Sequence, residues 1–388
     1  MPAVTVDLLP TRMETSGERG DGSCGQFDAR PVRVGLIGTS WWSAFAFAPA
    51  LAAHPRAEIA AVCGRDVERT KAFADEFGAG AVFHDPNELI AMPGLDAVVV
   101  ALPDDLHHRV TIAAIDRGLH VLCEKPLALT EAQAREMRDR AVAAGGVHMT
   151  MFTNRWMPYF RYVHDLMRDG FIGTCHHAEF RFVMAYGRAP EYAWRLDAAR
   201  ANGVLGDLGV HLIDLARWWV GDVSGVASRL GVVVQRPGAD GGRLEPANDS
   251  ASLLLDFVGG ASGSLHASVV SHVGDRAFMQ EVRLYGSEGT LEVDVAMGGN
   301  GAGSTVLRGA RGSGGALELL HVPDSYWGGV DPATPFRVLS VHSAGARAFV
   351  DAVLGVGPAS PDFADGYEAQ RVVDAALQAH ASGRWVRL

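Results

Sequence analysis

The stretch Cys123-Glu124-Lys125-Pro126 follows directly after the short apolar run at 120–122 and places an acid and a lysine where that run ends. Such a run is typical of a buried parallel strand, and in open α/β sheets ligands bind beyond the carboxyl ends of the strands. Pro126 cannot continue the strand ladder and pre-sets the turn that follows. The stretch therefore predicts that Lys125 is held at a crevice, although a surface lysine at a strand end fits the same residues.

Strand and helix patterns alternate around this stretch from residue 31 to residue 153. Apolar runs predict strands, and apolar residues at helical spacing, with caps such as Asp85, Thr130 and Gly78, predict helices. The predicted strands are 32–37, 58–63, 82–83, 97–102, the one ending at Cys123, and 148–153; the predicted helices are 43–53, 67–77, a short one from Pro86, 106–117 and 131–144. We expect an α/β fold whose first domain, 31–153, is a doubly wound parallel Rossmann sheet.

The pattern changes after residue 153. Helices are predicted at 158–168, 207–220, 342–353 and 366–382, and strands at 174–184, 223–234, 250–257, 263–270, 280–285 and 290–295. Glycines are frequent in the turns and especially at 298–315, which we expect to be a mobile loop. The second domain, 154–388, is therefore expected to be α+β with a large, mostly antiparallel open sheet.

Length and composition narrow the class of protein. At 388 residues the chain is long enough for two domains. No window approaches the run of about 20 apolar residues that a membrane helix needs, so we expect a soluble protein. The net charge is −11 and no block of Lys or Arg occurs, which disfavours nucleic acid as a partner and favours a small molecule. Residues 1–30 resemble neither a secretory signal nor a transit peptide, and we expect a disordered extension.

Cysteine and histidine give no sign of a metal. The cysteines Cys24, Cys63, Cys123 and Cys175 are widely spaced and form no Cys-x-x-Cys pair, so neither a zinc site nor a disulfide framework is predicted. Histidines are adjacent at 107–108 and 176–177, but neighbouring side chains point apart on a strand or a helix. We expect no bound metal and a cytoplasmic location.

The turn Gly38-Thr39-Ser40-Trp41-Trp42 lies where a dinucleotide-binding fold has its glycine-rich phosphate turn. Ser40 and Ser43 stand at the second and third glycine positions of the G-x-G-x-x-G fingerprint. A serine is small enough for close approach of a pyrophosphate and adds a hydroxyl donor. An ordinary strand-turn-helix also fits this turn. We expect Trp41 or Trp42 to line the cleft on the nicotinamide or substrate side, the alternative being that they pack the start of the helix.

Gly64-Arg65-Asp66 follows the second predicted strand, where an acid would receive the ribose 2′-hydroxyl of NAD. The missing acid and the adjacent arginine favour NADP over NAD, because a guanidinium can pair with a 2′-phosphate. Asp66 turning back to a ribose, or Arg65 pointing into solvent, remains an alternative.

Asp207-Leu208-Gly209-Val210-His211, preceded by Asn202-Gly203, is the second candidate site. Residues four apart share a helix face, so Asp207 and His211 are predicted to project together. An imidazole can take a hydroxyl proton near neutral pH, a carboxylate can hold the substrate or the ring, and Lys125 adds a cation. A helix N-terminus with an acidic first turn and a packed histidine explains the same pattern without a function.

Taken together, these motifs resemble the glucose-fructose oxidoreductase, inositol dehydrogenase and rhizopine-catabolism (Gfo/Idh/MocA) family over about residues 31–385. The order and spacing of the motifs carry the resemblance. They are the Gly38 turn, Ala101-Leu102-Pro103 followed by His107, Glu124-Lys125-Pro126, Asn154-Arg155-Trp156-Met157-Pro158, and Gly203 through Asp207 to His211. Ser40, Ser43 and Gly64 depart from the family pattern and put the identity of the cofactor in doubt.

The resemblance implies roles for the site residues. Lys125 is expected to hold the reacting substrate oxygen near the nicotinamide, His211 to act as general acid/base, and Asp207 to orient the substrate and His211. Contacts to the cofactor are expected from Gly38, Thr39, Ser40, Trp41, Trp42, Arg65, Pro103, His107, Glu124 and Lys125, and contacts to the substrate from Lys125, Arg155, Trp156, Tyr192, Trp194, Asp207 and His211. The aromatic and arginine-rich loop from Tyr186 to Arg195, together with Trp156, fits stacking on a sugar face and hydrogen bonds to its hydroxyls; packing at the domain interface is the alternative for its aromatic residues.

The expected activity is hydride transfer between NAD or NADP and a secondary alcohol or ketone of a sugar, cyclitol or sugar derivative. Two alternatives remain: a glycosidase that oxidises its substrate transiently with a bound nicotinamide, and a non-catalytic dinucleotide-binding regulator. The resemblance also implies that the open face of the C-terminal sheet supports a homodimer or homotetramer.

Overall fold

Two β-sheets organise the protein, whose computed structural model describes residues 30–299, 302–312 and 314–388. The predicted N-terminal extension lies outside the described residues, except for Arg30. The two sheets follow one another along the chain, as the change of pattern near residue 153 predicts.

The first sheet has six parallel strands in the order β3-β2-β1-β4-β5-β6. These strands are β1 Val32–Ile37, β2 Ala57–Cys63, β3 Val82–Phe83, β4 Ala97–Val100, β5 His120–Glu124 and β6 His148–Met151. All four residues of β4 are buried, as expected of a central strand covered on both faces. The order reverses between β1 and β4, which is the switch point where doubly wound folds bind ligands. The predicted α/β class is confirmed.

Helices connect the parallel strands. They are α1 Ala48–Ala52, α2 Val67–Phe77, α3 Pro86–Ile90, α4 Asp104–Asp116 and α5 Glu131–Ala144. The predicted caps are confirmed, since Asp85 accepts a hydrogen bond from the backbone N–H of Asn87 and Thr130 accepts one from that of Gln133. Each cap satisfies a backbone donor that the first helical turn leaves without a partner.

The second sheet has nine strands in the order β14-β13-β12-β11-β7-β10-β9-β8-β15. Its strands are β7 Cys175–Met184, β8 Val223–Gly231, β9 Ser250–Phe257, β10 Ser262–Ser268, β11 Arg276–Gly286, β12 Gly289–Gly298, β13 Gly303–Arg311, β14 Glu318–Leu319 and β15 Val386–Arg387. Within the described part of this second sheet, only β7 and β10 pair in parallel. The mostly antiparallel sheet is as predicted.

The prediction of a mobile loop at the glycine-rich segment 298–315 is wrong for Gly303–Arg311, half of the segment, because β13 spans these residues and pairs with β12. Leu307 is buried in this strand. A Cβ atom on Gly309 would lie 2.7 Å from Leu320 Cδ1 and 2.8 Å from Phe171 Cζ. Here glycine provides close packing against neighbouring side chains rather than flexibility.

The remaining helices pack around the second sheet and return to the first. They are α6 Pro158–Arg168, α7 Val210–Trp219, α8 Asp324–Trp327, α9 Val338–Val341, α10 Ala346–Val353 and α11 Phe363–Ser382. Phe363 and Tyr367, at the start of α11, belong to the hydrophobic cluster formed with β4, β5 and α5. The backbone N–H of Thr150 in β6 also donates to the Pro361 carbonyl. The end of the chain thus completes the cover of the first sheet.

Two predicted helices begin with a turn of π-helix instead of α-helix. Ser43–Phe47 precedes α1, and Leu205–Gly209 precedes α7. The prediction of a regular α-helix starting at Asp207 is therefore wrong in its first turn. Single π-turns inside helices are frequent at functional sites, because they widen the helix and re-aim a side chain.

Within the described ranges, no helix is long and apolar enough to cross a membrane, and no group of three or more His, Cys, Asp and Glu side chains is arranged to hold a metal ion.

Candidate active site

The carboxyl edge of the first sheet brings the glycine turn and the lysine stretch together. β4 pairs with β1 on one side and with β5 on the other, so Val100 lies between Ile37 and Cys123. Gly38 follows β1 with a φ of 115°, and a Cβ atom there would lie 2.1 Å from the Ala101 carbonyl oxygen. Only glycine fits this turn, which leaves its backbone open to the cleft.

Lys125 and Asp207 form an ion pair across the cleft. The Lys125 Nζ atom donates to Asp207 Oδ1 at 2.9 Å and to the Asp207 backbone carbonyl at 2.8 Å. Their side chains are 14% and 12% exposed, so the pair borders the cleft without being sealed. An ammonium group has three N–H donors, and two of them are used on Asp207. One donor remains for an oxygen of a bound molecule.

Tyr186 and Arg195, at the two ends of the aromatic and arginine-rich loop 186–195, also bind Asp207. The Tyr186 hydroxyl donates to Oδ2 at 2.5 Å, and Arg195 Nε donates to Oδ1 at 3.3 Å. Burial by itself raises the pKa of Asp207, but the charges of Lys125 and Arg195 outweigh it and hold that pKa well below its usual range. Asp207 is therefore a carboxylate at any pH near neutrality.

His211 lies near this pair but makes no hydrogen bond to it. Burial, and then the charge of Lys125, lower its pKa to about 3, so the ring is neutral at pH 7. Its Nδ1 atom is buried without a hydrogen-bond partner. Nε2 is not enclosed in this way and is the nitrogen available to a bound molecule. Asp207 acts on the ring through its charge, and the described residues contain no hydrogen bond by which it would orient the ring.

Glu124 and Trp42 are hydrogen-bonded to each other next to Lys125. Trp42 Nε1 donates to Glu124 Oε1 at 2.6 Å, and the backbone N–H of Lys125 donates to Oε2 at 3.1 Å. Trp41 is 73% exposed and meets Trp42 edge-on, with ring centroids 5.5 Å apart. Of the two tryptophans, Trp42 is thus the one tied to the lysine stretch, whereas Trp41 stands at the surface.

The corner that follows β2 is compact. A Cβ atom on Gly64 would lie 2.4 Å from Thr70 Oγ1 and 2.6 Å from Thr39 Oγ1, so an acidic side chain has no room there. Asp66 caps α2 by accepting from the Arg69 backbone N–H at 3.0 Å. Arg65 is exposed. Asp66 is thus engaged in a cap, and no ion pair to Arg65 occurs among the described residues.

His107, a predicted cofactor contact, lies in the interior of the first domain. Its side chain is fully buried, with Nδ1 at 2.8 Å from the Pro126 carbonyl and Nε2 at 2.9 Å from the Leu102 carbonyl. Burial opposes a charge on the ring, but contacts with Cys123 and the two carbonyls raise its pKa to about 9. His107 therefore links the ends of β4 and β5 from inside.

Arg155, a predicted substrate contact, is likewise an internal residue. Its guanidinium donates to Asp214 at 2.6 and 2.9 Å and to Asp365 at 2.9 Å. The arginine is 8% exposed and Asp214 is fully buried. This cluster joins the short 3-10 helix Thr153–Trp156, which precedes α6, to α7 and α11. It therefore stabilises the packing of these helices.

The predicted aromatic residues divide between two roles. Trp194 lies under the Arg195 guanidinium, 4.4 Å from it, and so supports a residue that binds Asp207. Tyr192 instead donates to Asp197 at 3.0 Å, and Trp156 is half-buried against the main hydrophobic core. Among these three residues, only Trp194 is connected to the site by a contact in the described chain.

Asp104 is a buried carboxyl group that sequence reasoning missed. It is the first residue of α4, directly after Pro103, and is 6% exposed. Lys125, Arg195, Asp207 and Glu124 all act on it electrostatically. Its position after β4, like that of Lys125 after the neighbouring β5, was the available signal, because parallel strands end at one edge of the sheet.

A nicotinamide dinucleotide fits this arrangement. The first N–H groups of the helix after Ser40 have no carbonyl four residues before them, and Gly38 leaves the turn open for a pyrophosphate. Ser40 is exposed at this turn, and its Oγ lies 3.1 Å from that of Ser43. Gly38 to Ser40 would hold the pyrophosphate, and Trp42 and Lys125 would border the nicotinamide end.

Comparisons with known proteins agree with this geometry. The family described as an oxidoreductase family with an NAD-binding Rossmann fold matches residues 32–152, and the GFO/IDH/MocA C-terminal domain matches residues 160–292. Levoglucosan dehydrogenase of Pseudarthrobacter phenanthrenivorans is 29% identical over 344 residues, which are 81% of this chain and 85% of that protein. The 1,5-anhydro-D-fructose reductase of Ensifer adhaerens is 30% identical over 84% of this chain and 90% of its own.

Solved structures extend the likeness to three dimensions. Levoglucosan dehydrogenase in complex with NADH and levoglucosan superposes with a TM-score of 0.80 at 25% identity, over 92% of this chain and 99% of its own. An oxidoreductase domain protein from Kribbella flavida gives a TM-score of 0.79 at 28% identity over the same shares. The two family matches together span more than half of the chain. The chain therefore belongs to the Gfo/Idh/MocA family of NAD-binding oxidoreductases, which act on CH–OH groups.

Proposed function

We propose that this protein transfers a hydride between a nicotinamide dinucleotide and a secondary alcohol or ketone of a sugar, cyclitol or sugar derivative. The observation that carries the proposal is the Lys125–Asp207 pair, with a neutral His211 beside it, at the carboxyl edge of the dinucleotide-binding sheet. This chemistry requires a cation, a proton acceptor and an open edge of the sheet for the cofactor.

In the oxidative direction, the remaining Lys125 donor holds the substrate oxygen and stabilises negative charge that develops on it. The hydroxyl proton passes to His211 Nε2, and the hydrogen on the same carbon leaves with its bonding electrons as hydride. The nicotinamide, when bound, accepts that hydride. In the reductive direction His211 returns the proton to the oxygen. Asp207, held by Tyr186 and Arg195, keeps Lys125 in position.

For the cofactor, the corner after β2 favours NADP. Gly64 leaves no space for the acid that binds a ribose 2′-hydroxyl, and the exposed Arg65 can reach a 2′-phosphate. Solved structures of the related levoglucosan dehydrogenase are complexes with NADH, so that relative binds the cofactor without a 2′-phosphate. We expect NADPH to bind more tightly than NADH.

The substrate class follows from the polar site and from the relatives. Levoglucosan dehydrogenase, D-apiose dehydrogenase and 1,5-anhydro-D-fructose reductase are all named for carbohydrates.

We also expect a homodimer or homotetramer through the open face of the second sheet. This face carries Arg181, Arg229, Arg283 and Glu281 around the half-exposed Leu254. Light scattering of the purified protein measures that state.

The first experiment titrates the purified protein with NADPH and NADH by fluorescence and then screens sugars, anhydrosugars, cyclitols and keto-sugars at 340 nm. Turnover of a carbohydrate supports the proposal. Tight binding of a dinucleotide without turnover supports a regulator, and release of an aglycone without net change of the cofactor supports a glycosidase. Binding of neither dinucleotide contradicts the assignment of the Gly38 turn.

Lys125→Ala tests the assigned chemistry directly. Without the ammonium, the substrate oxygen loses both its hydrogen bond and its charge stabilisation, so we expect kcat/KM to fall by about a thousandfold or more. The matched control is Lys71→Ala, which removes an exposed lysine paired only with Asp75 and should leave kcat/KM unchanged. Unchanged turnover in Lys125→Ala contradicts the proposed role.

A further inference from the structure

Asp104 is a buried acid that the proposed reaction does not yet use. The residue is 6% exposed, and neither of its carboxyl oxygens has a hydrogen-bond partner among the described residues. Neither oxygen is fully enclosed by protein atoms, so a bound molecule can reach them. A buried carboxyl group normally finds hydrogen bonds, so one whose open side faces a cleft is suited to a bound molecule.

The surroundings place the Asp104 carboxyl group in the same space as the Lys125–Asp207 pair. Its Oδ2 atom lies 4.0 Å from the position that a Cβ atom would take on Gly206, the residue before Asp207. Pro126 borders Gly206 from the other side at 3.9 Å. Asp104 therefore lies between the lysine turn and the π-helical turn that carries Asp207.

Asp105, the next residue, behaves as an ordinary helix-start carboxylate. It pairs with Arg200 at 3.1 Å and is 23% exposed. Asp104 has no such partner, although the charges of Lys125 and Arg195 act to lower its pKa. A role in holding α4 against its neighbours is thus served by Asp105 and leaves Asp104 unexplained.

We infer that Asp104 is a substrate-binding residue, whose carboxyl group hydrogen-bonds the hydroxyl on the carbon next to the reacting carbon of the carbohydrate. The inference rests on the proposed function. Lys125 fixes the reacting oxygen, and hydroxyl groups on neighbouring ring carbons lie side by side, so a second polar group beside Lys125 meets the neighbouring hydroxyl.

The protonation state suits this role. Burial raises the pKa of Asp104 to about 8; Lys125 and Arg195 oppose the rise, and Asp207 and Glu124 add to it. The group is therefore mainly a neutral acid at pH 7. A neutral carboxylic acid offers one O–H donor together with acceptor oxygens, which matches a hydroxyl group in both directions.

The first test compares Asp104→Ala and Asp104→Asn with the panel carbohydrate that wild type turns over best. We expect Asp104→Ala to raise KM about tenfold, the cost of one hydrogen bond to substrate, with no change in the Kd of the dinucleotide. Asparagine keeps a donor and an acceptor, so it should recover most of the loss. Asp116→Asn, an exposed carboxylate of the same helix paired with Arg140, should leave KM unchanged.

A deoxy analogue of that carbohydrate, lacking the hydroxyl next to the reacting carbon, gives a sharper test. If Asp104 binds that hydroxyl, the analogue and the Asp104→Ala change each cost about tenfold in kcat/KM, and the two together cost no more than either alone. A merely structural role for Asp104 gives multiplied losses instead.

The pH dependence gives a third readout. Above about pH 8 the wild-type KM should rise as Asp104 loses its proton, whereas that of Asp104→Asn should stay level over the same range. Lys125, Arg195, Asp207, Glu124 and Tyr186 face the same space and are common to both proteins.

Four results overturn the inference: multiplied losses with the deoxy analogue, a change in dinucleotide Kd instead of KM, the same pH profile in wild type and Asp104→Asn, or an Asn variant no better than Ala. A wild-type protein that turns over nothing in the panel overturns the proposed function as well. The four results, obtained with a wild type that turns over a sugar, overturn this inference alone.

Discussion

Two cation–carboxylate clusters lie within seven residues of one another along the same continuous helix, yet they serve different purposes. Asp207, in the π-turn before α7, pairs with Lys125 at the cleft, with side chains 12% and 14% exposed. Asp214, in α7 itself, pairs with Arg155 where the two side chains are 0% and 8% exposed. The charges are alike, but one cluster borders the cleft and the other is closed.

The choice of cation accounts for the difference. The guanidinium of Arg155 binds Asp214 through two nitrogens and Asp365 through one of them, a planar arrangement typical of structural ion pairs. The ammonium of Lys125 is compact and keeps a donor beyond its two bonds to Asp207. A closed cluster holds elements together, and an open one has a free donor for chemistry.

The largest effect is expected for Asp214→Ala, which leaves Arg155 buried with Asp365 as its remaining carboxylate. Removal of one partner from a buried pair costs about 3–5 kcal/mol in the free energy of unfolding. Urea unfolding measures this loss. Asp222→Ala removes the exposed carboxylate that pairs with Arg217 and should cost less than about 1 kcal/mol. Equal losses in the two variants would show that the Arg155 cluster does not hold the scaffold.

Tyr186→Phe is next and acts on the open cluster. The variant loses the hydrogen bond to Asp207 Oδ2, so the carboxylate is free to turn away from Lys125. A charge-assisted hydrogen bond is worth about 1.5–3 kcal/mol, and we expect kcat/KM to fall by about 10- to 100-fold with little change in stability. Tyr192→Phe, in the same loop, loses the bond to Asp197 and the contact with Arg200 but none to Asp207, and it should retain wild-type kcat/KM. Similar kinetics for both variants would contradict the role of Tyr186.

His211 connects the open cluster to pH. Its pKa is about 3 in the folded protein and about 6.5 when unfolded, so between these values the unfolded chain binds a proton that the folded protein does not. Stability should therefore fall as the pH drops below 6.5. Between pH 7 and pH 5, wild type should lose about 1–2 kcal/mol more than His211→Asn in urea unfolding. Parallel losses would mean that the ring titrates normally.

The smallest effect is expected for Arg195→Leu. The guanidinium contacts Asp207 at 3.3 Å and is 40% exposed, so solvent screens its charge. Loss of a partly exposed pair is worth about 0.5–1 kcal/mol, and kcat/KM should fall by about two- to fivefold, more at low salt than at high salt. Arg188→Leu removes an exposed arginine of the same loop and serves as the control. An effect that does not depend on salt would mean that Arg195 binds the substrate itself.

The local sequence pattern was sufficient to predict the architecture and to single out the residues at the centre of the candidate site. The apolar runs predict the six strands of the first sheet, and Lys125 follows one of them because parallel strands present their carboxyl ends to a single edge. Asp207 and His211 were recognisable because they are close in sequence. Composition misled only where glycine had a packing role, as at Gly309 in β13.

The sequence by itself determined which segments form strands and helices, and which lysine and histidine stand at their ends, because these features depend on neighbouring residues. Only the tertiary structure decided that Arg155 and His107 face inward, and that Tyr186, Arg195 and Asp104 converge near Asp207. Lys125 and Asp207 are 82 positions apart, and no local periodicity encodes such a contact. The physical reason is that burial and pairing of charges depend on distances in space, which are set only when the two parts of the chain fold together.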